Sequence, residues 1–149
     1  MSKRSAVSNH YTEAEDTIVR IPRAIFREMC LHAREQLPLE ACGYLAAKGT
    51  RVQKLFKMRN VDESKEHFMF DPEEQFAVAE KAREAGLSLI AVYHSHPSSP
   101  PSPSAEDIRL AHDPEIIHVI LSIMAPKPTA KAFRIKEGTA EEIALKVEP

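Results

Sequence analysis

Residues 87–97 read LSLIAVYHSHP, and the reading of that stretch decides the fold. Leu87–Tyr93 is a nearly continuous apolar run of strand length, the pattern of a central strand buried on both faces of a sheet. Upstream, Gly86 is a helix stop. The helix it ends starts at Asp71-Pro72, with Asp71 as cap, Pro72 in the first position, and Phe76, Ala79, Ala82 and Arg83 along its length. Before it lie a short strand candidate, Lys65–Phe70, and two strand-like segments, Glu40–Ala47 and Arg51–Met58, with Gly49 in the hairpin turn between them. Pro38 ends an earlier helix that opens at Pro22 and carries Ile25, Phe26, Met29, Ala33 and Leu37 at helical spacing. Asp16–Ile21 precedes it as a short strand. Downstream, Ser104 opens a helix reaching about His112, Ile116–Met124 is a second central strand, and Thr129–Lys136 and Glu141–Val147 alternate like edge strands. The order predicts an α/β fold, a mixed β-sheet flanked by helices.

A chain of 149 residues, 43% hydrophobic and 28% charged, has ordinary globular composition and is long enough to fold without disulfides or a structural metal. Residues 1–15 are polar and are expected to form a flexible N-terminal arm, with residues 16–149 as a single domain. The arm lacks the apolar core of a secretory signal. Neither long apolar run approaches the roughly 20 residues of a membrane span. A net charge of −2 argues against nucleic acid or an anionic membrane as partner. The two cysteines, Cys30 and Cys42, read as reduced thiols, and the expected location is cytoplasmic. Seven histidines and eleven prolines are excesses that composition leaves unexplained.

Their positions are informative. His94 and His96 lie two apart at the end of the most apolar strand, so their imidazoles leave the same face where the strand runs out. Two hydrophilic residues at a strand end is one reading; a rigid pair of transition-metal ligands is the other. Asp107 follows in Ser104-Ala105-Glu106-Asp107. Ser-x-x-Asp is a helix N-terminus resembling a capping box. It also puts a carboxylate on a first helical turn that the Pro-rich loop can fold back toward the histidines. The two readings are compatible, because Ser104 can cap while facing the site. Two histidines and a carboxylate with a fourth position open suit catalytic rather than structural zinc. Pro97, Pro100, Pro101 and Pro103 stiffen the connection; a plain linker or polyproline motif is the competing reading. Glu40, behind Pro38, reads either as a solvated strand end or as a general base for a metal-activated water.

Taken together, Glu40, His94-Ser95-His96-Pro97 and Ser104-x-x-Asp107 resemble the JAMM motif (also MPN+, or Mov34/MPN/PAD-1) of zinc metallopeptidases, in order and at family spacing. The resemblance runs from about Asp16 to Lys136. It takes in the Pro38-x-Glu40-x-Cys42-Gly43 segment and Asn60. It implies a cytidine-deaminase-like JAMM/MPN fold and one zinc ion per chain with a bound water. His94, His96 and Asp107 would be the zinc ligands, Glu40 the acid/base, and Ser104 the hydroxyl that supports the oxyanion. Tyr44-Leu45-Ala46-Ala47 departs from the smaller apolar residues and second Gly of many relatives.

The implied activity is hydrolysis of peptide or isopeptide bonds after the C-terminal Gly-Gly of a ubiquitin-like protein. The compact length is closest to stand-alone prokaryotic-type members, which are linked to ubiquitin-like sulfur-carrier proteins. A carrier tail pairing along an exposed strand edge is the expected substrate and partner. The alternative is a non-catalytic MPN-type interaction scaffold. A nucleoside deaminase would need His-x-Glu followed by Pro-Cys-x-x-Cys, and the cysteines here are not so placed. The other five histidines (His10, His32, His67, His112 and His118) read as structural or surface residues. Cys30, Cys42, Phe68, Phe70 and Phe76 read as core.

Overall fold

A computed structural model describes residues 17–149. The expected arm, residues 1–15, lies outside the described residues, as does Asp16. The elements in chain order are β1 (Ile18–Pro22), α1 (Arg23–Glu35), β2 (Cys42–Lys48), β3 (Arg51–Met58), α2 (Pro72–Glu84), β4 (Ser88–His96), α3 (Ala105–Leu110), β5 (Ile117–Ser122), β6 (Thr129–Lys136) and β7 (Thr139–Glu148). The strands form one mixed sheet in the order β1-β3-β2-β4-β5-β6-β7. Its centre is the opening stretch of the sequence: β4 pairs antiparallel with β2 and parallel with β5. No helix among the described residues is long and apolar enough to cross a membrane.

The pleat of β4 sorts the molecule into layers. Ala91 and Tyr93 point to one face and join Val119 and Leu121 of β5, Leu45 of β2, and Met29, Cys30 and Ala33 of α1 in the main core. Val92 points to the other face and packs with Cys42, Phe56 and Met58 under Val78 and Ala82 of α2. On that same second face, Ile120, Phe133 and Ile135 sit under Ile108 and Ala111 at the end of α3. His94 and His96 follow Val92 by two and four residues, so they project on the α2–α3 side.

Several expectations are corrected. Thr129–Lys136 and Glu141–Val147 are not edges: β6 lies between β5 and β7, and β7 pairs parallel with β1 from Ile18↔Ala144 to Pro22↔Glu148. The sheet thereby curls into a barrel, closed by the single β1–β3 register pair Arg20↔Arg51. Glu148 reinforces that seam with ion pairs to Arg20 at 3.2 Å and Arg51 at 3.0 Å. Lys65–Phe70 is no strand, because a side chain takes the place of a neighbouring ladder. The buried Asn60 amide donates to the carbonyls of Glu40, Ser64 and His67, and its oxygen accepts from the N–H groups of Asp62 and Met69. Phe76 is 68% exposed, and Val78 and Ala82 fill the inner face of α2 instead. Pro22 is the N-cap of α1 rather than its first residue. The third helix stops at Leu110, short of His112.

On the α1 face, the buried His32 shares a hydrogen bond through Nδ1 with the fully buried Tyr93 hydroxyl. Burial first, then Lys57, push the His32 pKa down to about 4. The unfolded chain therefore binds a proton near pH 6.5 that the folded chain refuses until about pH 4. Stability from this group is present above the unfolded value and is lost as pH falls through that window. Urea denaturation should show the stability difference between wild type and His32→Gln, which does not titrate, shifting in favour of wild type as pH rises from about 4 to 6.5.

Candidate metal centre

Glu40 lies just before β2 rather than in it, and its backbone is held at both polar groups. Its N–H donates to the Ser64 carbonyl at 2.8 Å, and its carbonyl accepts from the Asn60 amide at 3.2 Å. The next residue ties the segment to β4. Ala41 N–H donates to Ser95 Oγ at 2.8 Å, and Ser95 N–H donates back to the Ala41 carbonyl at 2.9 Å. Ser95 is thus the link that sets Glu40 beside the two histidines flanking it in sequence. The Glu40 side chain is 2% exposed, and Oε1 has no hydrogen-bond partner among the described residues. Burial drives its pKa up to about 8, against the pull of His96. A carboxyl poised there can both take and give a proton near neutral pH.

At the end of β4, His94 Nε2 and His96 Nε2 are 3.2 Å apart, and each is 3.2 Å from Asp107 Oδ2. Asp107 reaches them from the first turn of α3, where a reciprocal cap fixes it. Ser104 Oγ accepts from Asp107 N–H at 3.0 Å, and Ser104 N–H donates to Asp107 Oδ2 at 2.9 Å. Capping and convergence on the histidines are therefore one arrangement. Ser104 Oγ keeps its own hydrogen for another acceptor. Burial pushes the Asp107 carboxyl up, but hydrogen bonds from His94 and His96 outweigh it and hold the group well below the usual carboxylate range. Burial holds His94 below its ordinary value; for His96, the Asp107 and Pro100 hydrogen bonds overcome burial and raise it.

Two features orient the rings. His96 Nδ1 donates to the Pro100 carbonyl at 2.8 Å, an anchor that would leave the Nε2 lone pair for a metal and that gives the Pro-rich loop a definite task. Phe68 stacks on His94, ring centroids 4.8 Å apart. The unladdered segment 65–70 thus contributes a wall to the site, a role its sequence hid.

His94, His96 and Asp107 each offer one donor atom to a common point, all three side chains being buried. Donors about 2.0–2.1 Å from a tetrahedral ion lie about 3.3 Å from one another. The observed 3.2 Å spacings fit that geometry, as does the imidazole–carboxylate chemistry. The three residues are placed so that they could hold a metal ion. Cys42, by contrast, is core: its thiol donates to the Met58 carbonyl, and burial pushes it to about 12. His67 sits at the rim, 3.1 Å from Asp62. Burial lowers the His118 pKa to about 4.

The profile of prokaryotic homologs of the JAB domain matches residues 22–136. A CysO-cysteine peptidase of Mycobacterium tuberculosis is 31% identical over 122 residues, covering 80% of this chain and 84% of that protein. A probable TtuB-protein conjugate cleaving protease of Thermus thermophilus is 30% identical over 131 residues, covering 87% and 83%. Among solved structures, protein DSY2949 of Desulfitobacterium hafniense superposes with a TM-score of 0.79 at 40% identity, over 89% of this chain and 94% of that one. The JAB1/MPN domain protein AF2198 of Archaeoglobus fulgidus, at 18% identity over 87% of this chain and 99% of that one, shares the fold with a TM-score of 0.58.

Proposed function

Because the chain belongs to the JAMM/MPN family as one of the prokaryotic homologs of the JAB domain, and is a peptidase of that type, we propose that it hydrolyses the bond following the C-terminal Gly-Gly of a ubiquitin-like or sulfur-carrier protein. The observation that carries the reading is the convergence of the two imidazoles and one carboxylate at 3.2 Å beside a buried, unpartnered glutamate.

His94 Nε2, His96 Nε2 and Asp107 Oδ2 would hold one zinc ion. Bound there, zinc supplies Lewis acidity, lowering the pKa of a water and polarising a carbonyl. Glu40 Oε1 takes the proton from the attacking water and returns it to the leaving amine, a transfer suited to a carboxyl near neutrality. The Ser104 hydroxyl donates to the oxygen that becomes negative as the carbonyl is attacked. Phe68 and the surrounding apolar wall exclude bulk water from this exchange.

The protein substrate is supported by the relatives named for CysO-cysteine and for TtuB-protein conjugates. β4 already has partners on both edges, so a tail cannot add to the strand that carries the histidines. The segment 65–70, beside His94 and in no ladder, is the more suitable guide for an extended tail. A carrier ending in Gly-Gly plus a short extension tests the substrate class. Intact mass should show release of everything beyond the second glycine, and Gly→Val at either glycine should block it by bulk. Equal cleavage of the valine-bearing tails would remove the Gly-Gly reading.

A further inference from the structure

The two metal-site histidines are not equally supported. His96 Nδ1 is anchored on the Pro100 carbonyl, whereas His94 Nδ1 is buried and has no hydrogen-bond partner among the described residues. With zinc held on Nε2, His94 would carry its proton on Nδ1, so the orphan would be a buried donor. One other imidazole nitrogen shares that condition: His118 Nε2, on a side chain 8% exposed.

The two rings are neighbours by construction of the sheet. β4 and β5 run parallel with Val92 opposite His118 and His94 opposite Ile120. His118 and His94 therefore project from the same face as diagonal neighbours. Both line a cavity of about 290 Å³ that also takes in Asp107, Phe68 and Ala111. Two buried polar atoms left orphaned on residues that line one roomy cavity call for a bridging polar group, and a water there would need only partners of this kind. A ligating histidine ordinarily donates its second N–H to an acceptor that fixes its tautomer and ring plane.

We propose that His118 is a positioning residue for His94, acting through a water in this cavity that accepts from His94 Nδ1–H and donates to His118 Nε2. The arrangement gives His94 the outer support that Pro100 gives His96, and it uses a histidine that the sequence assigns only to a buried strand. It rests on the proposed role of His94 as a zinc ligand.

The test is zinc affinity by competition with a chromophoric chelator, with urea denaturation to verify folding. His118→Phe should weaken zinc binding about tenfold to a hundredfold. His118→Gln, whose amide oxygen can accept from the same water, should recover most of the loss. Wild-type affinity in His118→Phe would overturn the proposal, as would an equal loss in both variants, which marks a packing effect. On the zinc-loaded wild type, long-range ¹⁵N–¹H correlation provides a readout that needs no variant. His118 should carry its proton on Nδ1 with Nε2 as acceptor; a proton on Nε2 would overturn the bridge. Failure of the parent reading looks different: wild type and His94→Ala would then bind zinc alike or not at all, and the present proposal would fall with it.

Discussion

Glu40→Gln is expected to lower the rate of hydrolysis by about 10²–10⁴-fold, the usual contribution of a positioned acid/base, with zinc binding unchanged. The substitution keeps size and shape, and the backbone anchors from Ser64 and Asn60 do not involve the side chain. What is lost is the ability of Oε1 to hold a proton that leaves near pH 8. The same change carries a stability signature. Glu40 is protonated in the fold up to about pH 8 but ionised in the unfolded chain above about 4.5. Between those values the folded state binds the extra proton, so the Glu40 contribution to the stability of the metal-free protein falls as pH rises through that window, opposite in sign to that of His32. Glu40→Gln removes this contribution and should be at least as stable as wild type at pH 8. Turnover by intact mass, together with urea midpoints at pH 5 and 8, reads both effects. An inactive variant that also loses stability at pH 8 would mark Glu40 as structural instead.

Asp107→Asn should weaken zinc affinity by about 10²–10³-fold, if the roughly 10–16 kcal/mol of a zinc site is shared among its ligands. The amide oxygen can still accept from Ser104 N–H, so the capping box and α3 persist. The negative charge that His94 and His96 hold ionised is gone, and with it the hard anionic ligand. Competition with a chelator measures the affinity, and circular dichroism checks that the helix survives. Undiminished zinc binding would place the ion elsewhere.

The sequence carries the layer structure and the local half of the site because both depend on short-range periodicity. A period of two along Val92, His94 and His96 settles which face the imidazoles leave, and Ser104-x-x-Asp107 specifies its own cap. Parts that depend on distant partners were not legible. Ser95 holding Ala41, and so Glu40, is a contact across 54 residues that neither segment announces. Phe68 and Phe70 alternate as in a strand, but the Asn60 side chain holds the neighbouring His67 carbonyl and Met69 N–H, a choice that pattern cannot distinguish from a ladder. The barrel closure joins β1 to β7, the two ends of the described chain, so β7 looked like an edge until its partner was placed. Phe76 shows the limit of apolarity as a guide: it lies on the outer side of α2, where Val78 and Ala82 already fill the core.

The central claim is that hydrolysis runs on one zinc ion held by His94, His96 and Asp107. It is tested most directly by following the intact mass of a Gly-Gly-extended carrier while the chelator-stripped protein is titrated with zinc. Cleavage should vanish on stripping and return in proportion to added zinc, reaching a plateau at one equivalent in wild type and staying absent in His94→Ala. Cleavage by the stripped protein, or full restoration in His94→Ala, would contradict the account.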